Sequence, residues 1–144
     1  LQIRIISYIA YEINRKMNTL ALPRPTESEL EILSILWKYG KSSVRTVHDE
    51  ISKSKPNGYT TTLKLMQIML DKKLLIRDSS CKVHVYEPAV SREKTQKQLV
   101  SKMVNSLFSG SPAQLVLQAL GSCHPSNEEL IKIEELLKEL KTKK

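Results

Sequence analysis

Between Pro25 and Gly40 the apolar residues recur at helical spacing. Leu30, Leu33 and Trp37 share one stripe, and Ile32 and Leu36 widen it. Thr26 and Glu29 precede the stripe at capping-box spacing, where each side chain satisfies one otherwise unpaired N–H. Gly40 marks the stop. A second helix begins with Ser43 as N-cap and buries Val44, Val47 and Ile51. It ends in Lys53-Ser54-Lys55-Pro56-Asn57-Gly58, a strong turn signal. The third helix opens at Tyr59-Thr60 and runs to about Lys73. Leu63, Met66, Leu70 and Leu74 are its expected core face. Thr60, Lys64, Gln67 and Asp71 form a separate polar stripe, with Thr61 and Thr62 beside its start. The period then changes from helix to strand. Leu74 to Arg77 reads as one strand and Lys82 to Tyr86 as another, with Asp78-Ser79-Ser80-Cys81 as the turn. The alternation puts Val83 and Val85 on one face and His84 and Tyr86 on the other.

The second half of the chain is helical in pattern. Ser91 caps a helix that reaches Phe108, polar and basic at first (Arg92, Lys94, Lys97) and apolar later (Leu99, Val100, Met103, Val104, Leu107, Phe108). Ser109-Gly110 breaks it. Pro112 restarts a helix at its first position, where the missing N–H costs nothing. Leu115, Val116, Leu117, Ala119 and Leu120 are apolar almost all round, which predicts burial on several sides. Ser126 and Glu129 form a second capping box. Leu130, Ile133, Leu137 and Leu140 then follow the three-four-three spacing of a coiled-coil seam. Three short helices bury little surface by themselves, so a homodimer with interdigitated C-terminal helices is expected. Its contact residues are Leu99, Met103, Leu107, Leu115, Val116, Leu120, Leu130, Ile133, Leu137 and Leu140.

Ahead of these elements, Leu1, Ile5, Ile9 and Ile13 recur every four residues, interrupted by Arg4 and Glu12. The first Met is Met17, and no small-residue cleavage site follows the apolar stretch, which argues against a signal peptide. Two readings stand for residues 1–22: an upstream extension foreign to the domain, or an extra element packing on it or on a partner. The remaining divisions are residues 23–90 and 91–144.

Size and composition narrow the function. A chain of 144 residues is one domain's worth and excludes a large multidomain enzyme. Two cysteines make no disulfide framework, so a reducing, cytoplasmic compartment is expected. No apolar run of about 18 residues is present to span a membrane. Aromatic residues at 5% disfavour single-strand binding by base stacking. The net charge of +8 points to a polyanion. That charge has an address: Tyr59 to Lys102 holds nine basic and four acidic residues, whereas Ser126 to Lys144 holds five of each.

Helix, helix, helix, hairpin is the order of a winged helix-turn-helix, in which the third helix enters the major groove and the hairpin tip meets the backbone. The fold class is therefore mainly α with a small β-hairpin: a winged-helix DNA-binding domain followed by a helical dimerisation region. Hydroxyl, amide and ammonium groups on the third helix suit base edges, although a solvated helix face accounts for the same pattern. The expected base contacts are Thr60, Thr61, Thr62, Lys64 and Gln67. The expected phosphate contacts are Lys41, Ser43, Arg45, Lys72, Arg77 and Lys82.

Catalytic chemistry has no positive residue evidence. No Ser-His-Asp or Cys-His pairing is legible, and four glycines supply no phosphate-cradling loop. Glu128-Glu129 and Glu134-Glu135 sit among lysines as a solvated face. His48, His84 and His124 with Cys81 and Cys123 leave a soft-metal sensor as an alternative, but four-coordinate zinc spacing is missing. No cofactor, metal or small-molecule substrate is expected.

The runs P-T-E-S-E-L-E-I-L-S-I-L-W-K-Y-G, V-R-T-V, G-Y-T-T-T-L-K-L-M-Q and Y-E-P resemble the penicillinase-repressor family of winged-helix regulators, over roughly Pro25 to Pro88. The resemblance implies a dimeric bacterial repressor of resistance or homeostasis genes on an inverted-repeat operator. It also implies release by a membrane sensor-protease that cuts the dimerisation helices. The family's cleaved bond is Asn-Phe, and the matching bond here is Gln118–Ala119. Three other departures stand out. Ile68 takes the place of a common Arg, and Lys73 that of a Gly, which suggests a different end to the recognition helix. Cys81-Lys82 replaces a Gly-Arg pair in the wing. The copper-responsive members carry a C-terminal cysteine cluster, which this chain lacks. The competing reading is a winged-helix protein-interaction module that uses its apolar C-terminal helices to bind a partner.

Overall fold

The computed structural model describes Ile5, Ile6, Ile9 and residues 24–143. Ile5, Ile6 and Ile9 are helical and exposed; the rest of the N-terminal extension lies outside the described residues. The elements run α1 (Glu27–Tyr39), β1 (Ser42–Ser43), α2 (Val44–Ser52), α3 (Tyr59–Asp71), β2 (Leu75–Asp78), β3 (Val85–Pro88), α4 (Arg92–Leu107), α5 (Pro112–Cys123) and α6 (Asn127–Thr142). The chain divides into two compact units, the first through Thr95 and the second from Gln96. The division falls after the first four residues of α4.

The first unit is a winged helix. Its helices α1 and α2 start where the sequence supplies side-chain acceptors. Thr26 accepts from the Glu29 N–H at 3.3 Å, and Glu29 accepts from the Thr26 N–H at 2.8 Å, closing the capping box of α1. Ser43 caps α2 by accepting from the Thr46 N–H at 3.2 Å. Ile32, Leu33 and Leu36 of α1, Val44, Val47 and Ile51 of α2, Met66 and Met69 of α3, and Leu74, Leu75, Tyr86 and Val90 form the core. Each fully buried aliphatic side chain contributes about 1.5–3 kcal/mol by leaving water.

Three details differ from the sequence reading. The hairpin is part of a three-stranded sheet, ordered β1-β3-β2, because Ser42 and Ser43 pair with Tyr86 and Val85. Tyr86 is the buried residue of the second wing strand, and Val83 is 63% exposed. The strand begins only at Val85, so Val83 belongs to the wing tip, where no core face exists for it. The inward face of α3 is also turned. Thr62, Met66 and Met69 are fully buried, while Leu63 and Leu70 only flank the core. Thr62 tolerates burial because its hydroxyl is hydrogen-bonded, as described below.

The end of α3 corrects a further expectation. Lys73 adopts φ 60°, the left-handed conformation that glycine takes without a Cβ penalty. The Leu74 N–H then donates to the Met69 carbonyl at 2.9 Å, and the Lys73 N–H to that of Leu70 at 3.0 Å. The helix thus closes as a glycine-terminated helix would, with a lysine in the strained position.

The second unit is helical throughout. α4 ends where Ser109 and Gly110 both take positive φ, and the Gly110 N–H donates to the Val104 carbonyl at 2.9 Å. Ser111 caps α5, with Pro112 at its first position, and Ser126 and Glu129 close a capping box on α6. No described residue of this unit is buried. Among the expected contact residues, Leu99, Leu115, Leu120 and Ile133 are half-buried. Met103, Leu107, Val116, Leu130, Leu137 and Leu140 are exposed. The all-round apolar character of α5 therefore does not produce burial within one chain; Leu117 is 69% exposed.

Candidate nucleic-acid interface

The start of α3 is held from behind by a polar cluster. Asn57, in the turn between α2 and α3, donates its amide to the Thr62 hydroxyl at 2.8 Å. His48 of α2 lies 3.3 Å from the same oxygen through Nδ1, and its Nε2 is 3.4 Å from Ser52 Oγ. The His48 ring also meets Tyr59 edge-on, with centroids 5.6 Å apart. A buried hydroxyl with two partners fixes the rotation of α3 more tightly than an apolar contact would, because an unpaired partner would be costly. This removes Thr62 from the expected base contacts. It is 1% exposed and faces α2.

The outward side of α3 carries Tyr59, Thr60, Thr61, Lys64, Gln67 and Ile68, all exposed. Thr60, Thr61, Lys64 and Gln67, the other residues expected as base contacts, are thus open to solvent. Gly58, at the N-cap, supplies no side-chain acceptor to the first turn of α3. N–H groups there are suited to an anionic oxygen.

The wing reaches back towards this helix. Ser43, Val44 and Arg45 at the start of α2, Tyr59 and Leu63 of α3, and Lys82, Val83, His84 and Tyr86 line one open groove. Two cations, Arg45 and Lys82, therefore flank a surface that ends on α3. Arg45 is also 3.5 Å from Asp49, an ion pair with both side chains largely in water and worth little. The wing turn is stiffened by Asp78, whose carboxylate accepts from the Ser80 hydroxyl at 2.6 Å and the Ser80 N–H at 2.9 Å. These bonds, and more weakly Lys41, hold the Asp78 carboxyl below the usual carboxylate range.

The other expected phosphate contacts fall elsewhere. Lys41 lies 3.8 Å from Asp78 and 3.7 Å from Glu87, so it serves the sheet. Lys72 is bound to the buried Glu29. Ser43 shares its hydroxyl with Thr46, 3.1 Å away. Arg77 is exposed on β2. The sequence reading missed Tyr59, His84 and the His48–Asn57 support. Tyr59 was legible as the residue opening the helix. Nothing in the spacing marks His48 or Asn57, because their roles depend on how α2 and α3 cross.

Among the described residues, no group of three or more His, Cys, Asp or Glu side chains could hold a metal ion. None of their helices is long and apolar enough to cross a membrane. Gln118 and Ala119 are exposed on α5, with the Gln118 amide donating to Ser122 Oγ at 2.9 Å.

The chain is similar to a MarR family transcriptional regulator from Silicibacter pomeroyi, at 23% identity and a TM-score of 0.39, over 95% of this chain and 80% of that one. It is 24% identical over 123 residues to a penicillinase repressor from Bacillus licheniformis, covering 85% of this chain and 96% of that protein. The family model described as penicillinase repressor matches residues 25–139, across both units. The chain belongs to the penicillinase repressor family of transcriptional regulators.

Proposed function

We propose that this regulator represses transcription by binding an inverted-repeat operator as a homodimer. The observation that carries the reading is the groove that brings Arg45 and Lys82 together with Tyr59 and Leu63 of α3, a helix whose exposed residues include Thr60, Thr61, Lys64 and Gln67. Thr60, Thr61, Lys64 and Gln67 read base edges. Arg45, Arg77 and Lys82 hold phosphates and set the register of the helix on the duplex. The exposed apolar residues of α5 and α6 support dimerisation, since a second copy would cover Leu117, Leu137 and Leu140. The controlled genes are antibiotic-resistance or related genes. Release follows cleavage of α5 at Gln118–Ala119 by a membrane sensor-protease, which removes interface contacts and shifts the dimer equilibrium. The exposure of that bond supports access to it.

The test is a salt titration of mobility shifts on duplexes selected from a random pool. Lys64→Ala weakens binding to the selected sequence while leaving random duplex binding nearly unchanged. Lys82→Ala weakens both and lowers the slope of log affinity against log salt by about 1. Unchanged binding in both variants sinks the docking arrangement. Absence of salt-dependent binding to any duplex favours the protein-interaction module instead. For release, fragments are mapped by mass after incubation with the sensor-protease and inducer. An intact chain that still leaves DNA overturns the cleavage.

A further inference from the structure

The two flanks of α3 differ in charge. On the wing side, the groove at Tyr59 and Leu63 holds Arg45 and Lys82. On the other side, Thr26 and Ser28 at the start of α1 and Thr61, Lys64, Leu65 and Ile68 of α3 line a second open depression. Its surface is mostly apolar, and Lys64 is its one charged side chain among the described residues. Leu65 packs against the core, whereas Ile68 is 41% exposed. Thr61, Lys64 and Ile68 stand at i, i+3 and i+7, so they share one face of α3, with Lys64 and Ile68 one turn apart. Glu27, in the first turn of α1, adds a negative charge next to Ser28 in the chain, so this flank is poorly suited to a phosphate.

A duplex offers that flank one matching group. In the major groove thymine presents its O4 acceptor beside its C5 methyl, and of the four bases only thymine carries a methyl there. An ammonium and an aliphatic side chain one helical turn apart match that pair: Lys64 donates to O4 and Ile68 covers the methyl. Cytosine would instead turn an amino donor towards the ammonium, and a phosphate would set a charged, hydrated group against the isoleucine. We propose that Ile68 is a specificity-determining residue that reads a thymine methyl in each operator half-site. A lone exposed isoleucine is ordinary on a protein surface. This one shares its face with Thr61 and Lys64, both expected base contacts, in a depression with a single charge. The inference rests on the duplex binding proposed above and not on the pairing of two copies.

The probe is a fluorescent duplex of the sequence selected from a random pool, in which deoxyuridine replaces thymine one position at a time. The exchange removes the C5 methyl and leaves O4 and the base pairing in place. Anisotropy titrations at one fixed salt concentration read the affinity. For the native chain, one position per half-site loses about threefold to fivefold on the exchange, the effect of returning a methyl-sized group to water. Ile68→Ala binds the thymine duplex more weakly by a like factor and no longer distinguishes deoxyuridine at that position, so the two changes are not additive. Ile68→Val keeps part of the contact and stays sensitive to the methyl. Alanine favours a helix, so α3 keeps its form, and the affinity of Ile68→Ala for random duplex stays within about twofold of native. Each protein is read as a ratio of thymine to deoxyuridine duplex, so a uniform loss of active protein cancels. A native chain indifferent to every methyl, a selected sequence without a thymine common to its half-sites, or an Ile68→Ala chain that responds as the native one does overturns the role of Ile68 while the docking of α3 stands. A chain without salt-dependent binding to any duplex overturns the duplex reading and the inference together.

Discussion

The Lys72 ammonium donates to both carboxylate oxygens of Glu29, at 2.9 and 2.7 Å, and joins the end of the recognition helix to the beginning of α1. Glu29 is almost wholly buried and its side chain also accepts from the Thr26 N–H. A buried carboxylate that loses its cation is costly, so Lys72→Ala destabilises the fold by about 2 kcal/mol, tempered by the partial exposure of the lysine. Urea unfolding measures this. The salt slope of DNA binding stays at the native value, because the ammonium is committed to Glu29. A lower slope without a loss of stability would return Lys72 to the phosphate contacts.

Lys73 occupies the left-handed end of α3 at φ 60°. A side chain with a Cβ is disfavoured there, and glycine is not. Lys73→Gly therefore raises stability by about 0.5–1 kcal/mol, the gain being reduced by the greater freedom of glycine in the unfolded chain. A higher urea midpoint with an unchanged slope is the expected result. A lower midpoint would mean that Lys73 makes a contact outweighing its backbone strain.

Thr62 separates two ways of organising the recognition helix. Thr62→Val keeps the shape and deletes the hydroxyl, leaving the Asn57 amide and His48 facing an apolar group. The loss is about 1–2 kcal/mol. Thr62→Ser restores most of it, because the oxygen returns. If valine and serine are equally stable, the cluster does not hold α3, and the burial of Thr62 is only a matter of space.

These three residues also show where the sequence was legible. The caps at Thr26, Ser43 and Ser126 could be read directly, because capping is decided within four residues. The order of helices and wing followed from the change of period. What could not be read were relationships set by crossing elements. Thr62 looks like an exposed helix-start threonine until α2 brings His48 against it. Lys72 looks like a phosphate-seeking lysine until the end of α3 meets Glu29. The third strand, two serines long, has no hydrophobic period to announce it. The exposed face of α3 was legible because the polar stripe and the solvent side coincide; Thr62, two residues past Thr60, lies on the opposite side of the helix.

The seam of α6 carries the last prediction. Leu137 and Leu140 are 49% and 54% exposed in the single chain, at seam spacing, and no described residue of this unit is buried. An apolar surface of that kind is stabilised by covering it, and a second copy offers a like surface with a balanced charge. Leu137→Glu places a carboxylate in that contact twice, once from each copy, where desolvation and like-charge repulsion add. On the homodimer proposed above, the variant is expected to dissociate at concentrations where the native chain pairs, with a dimer constant weaker by about tenfold or more, equivalent to at least ~1.4 kcal/mol. Its affinity for paired half-sites falls with it, and its affinity for a single half-site does not. Sedimentation and mobility shift are read on the same samples. A variant that stays dimeric and keeps full affinity would place the contact between copies away from the α6 seam.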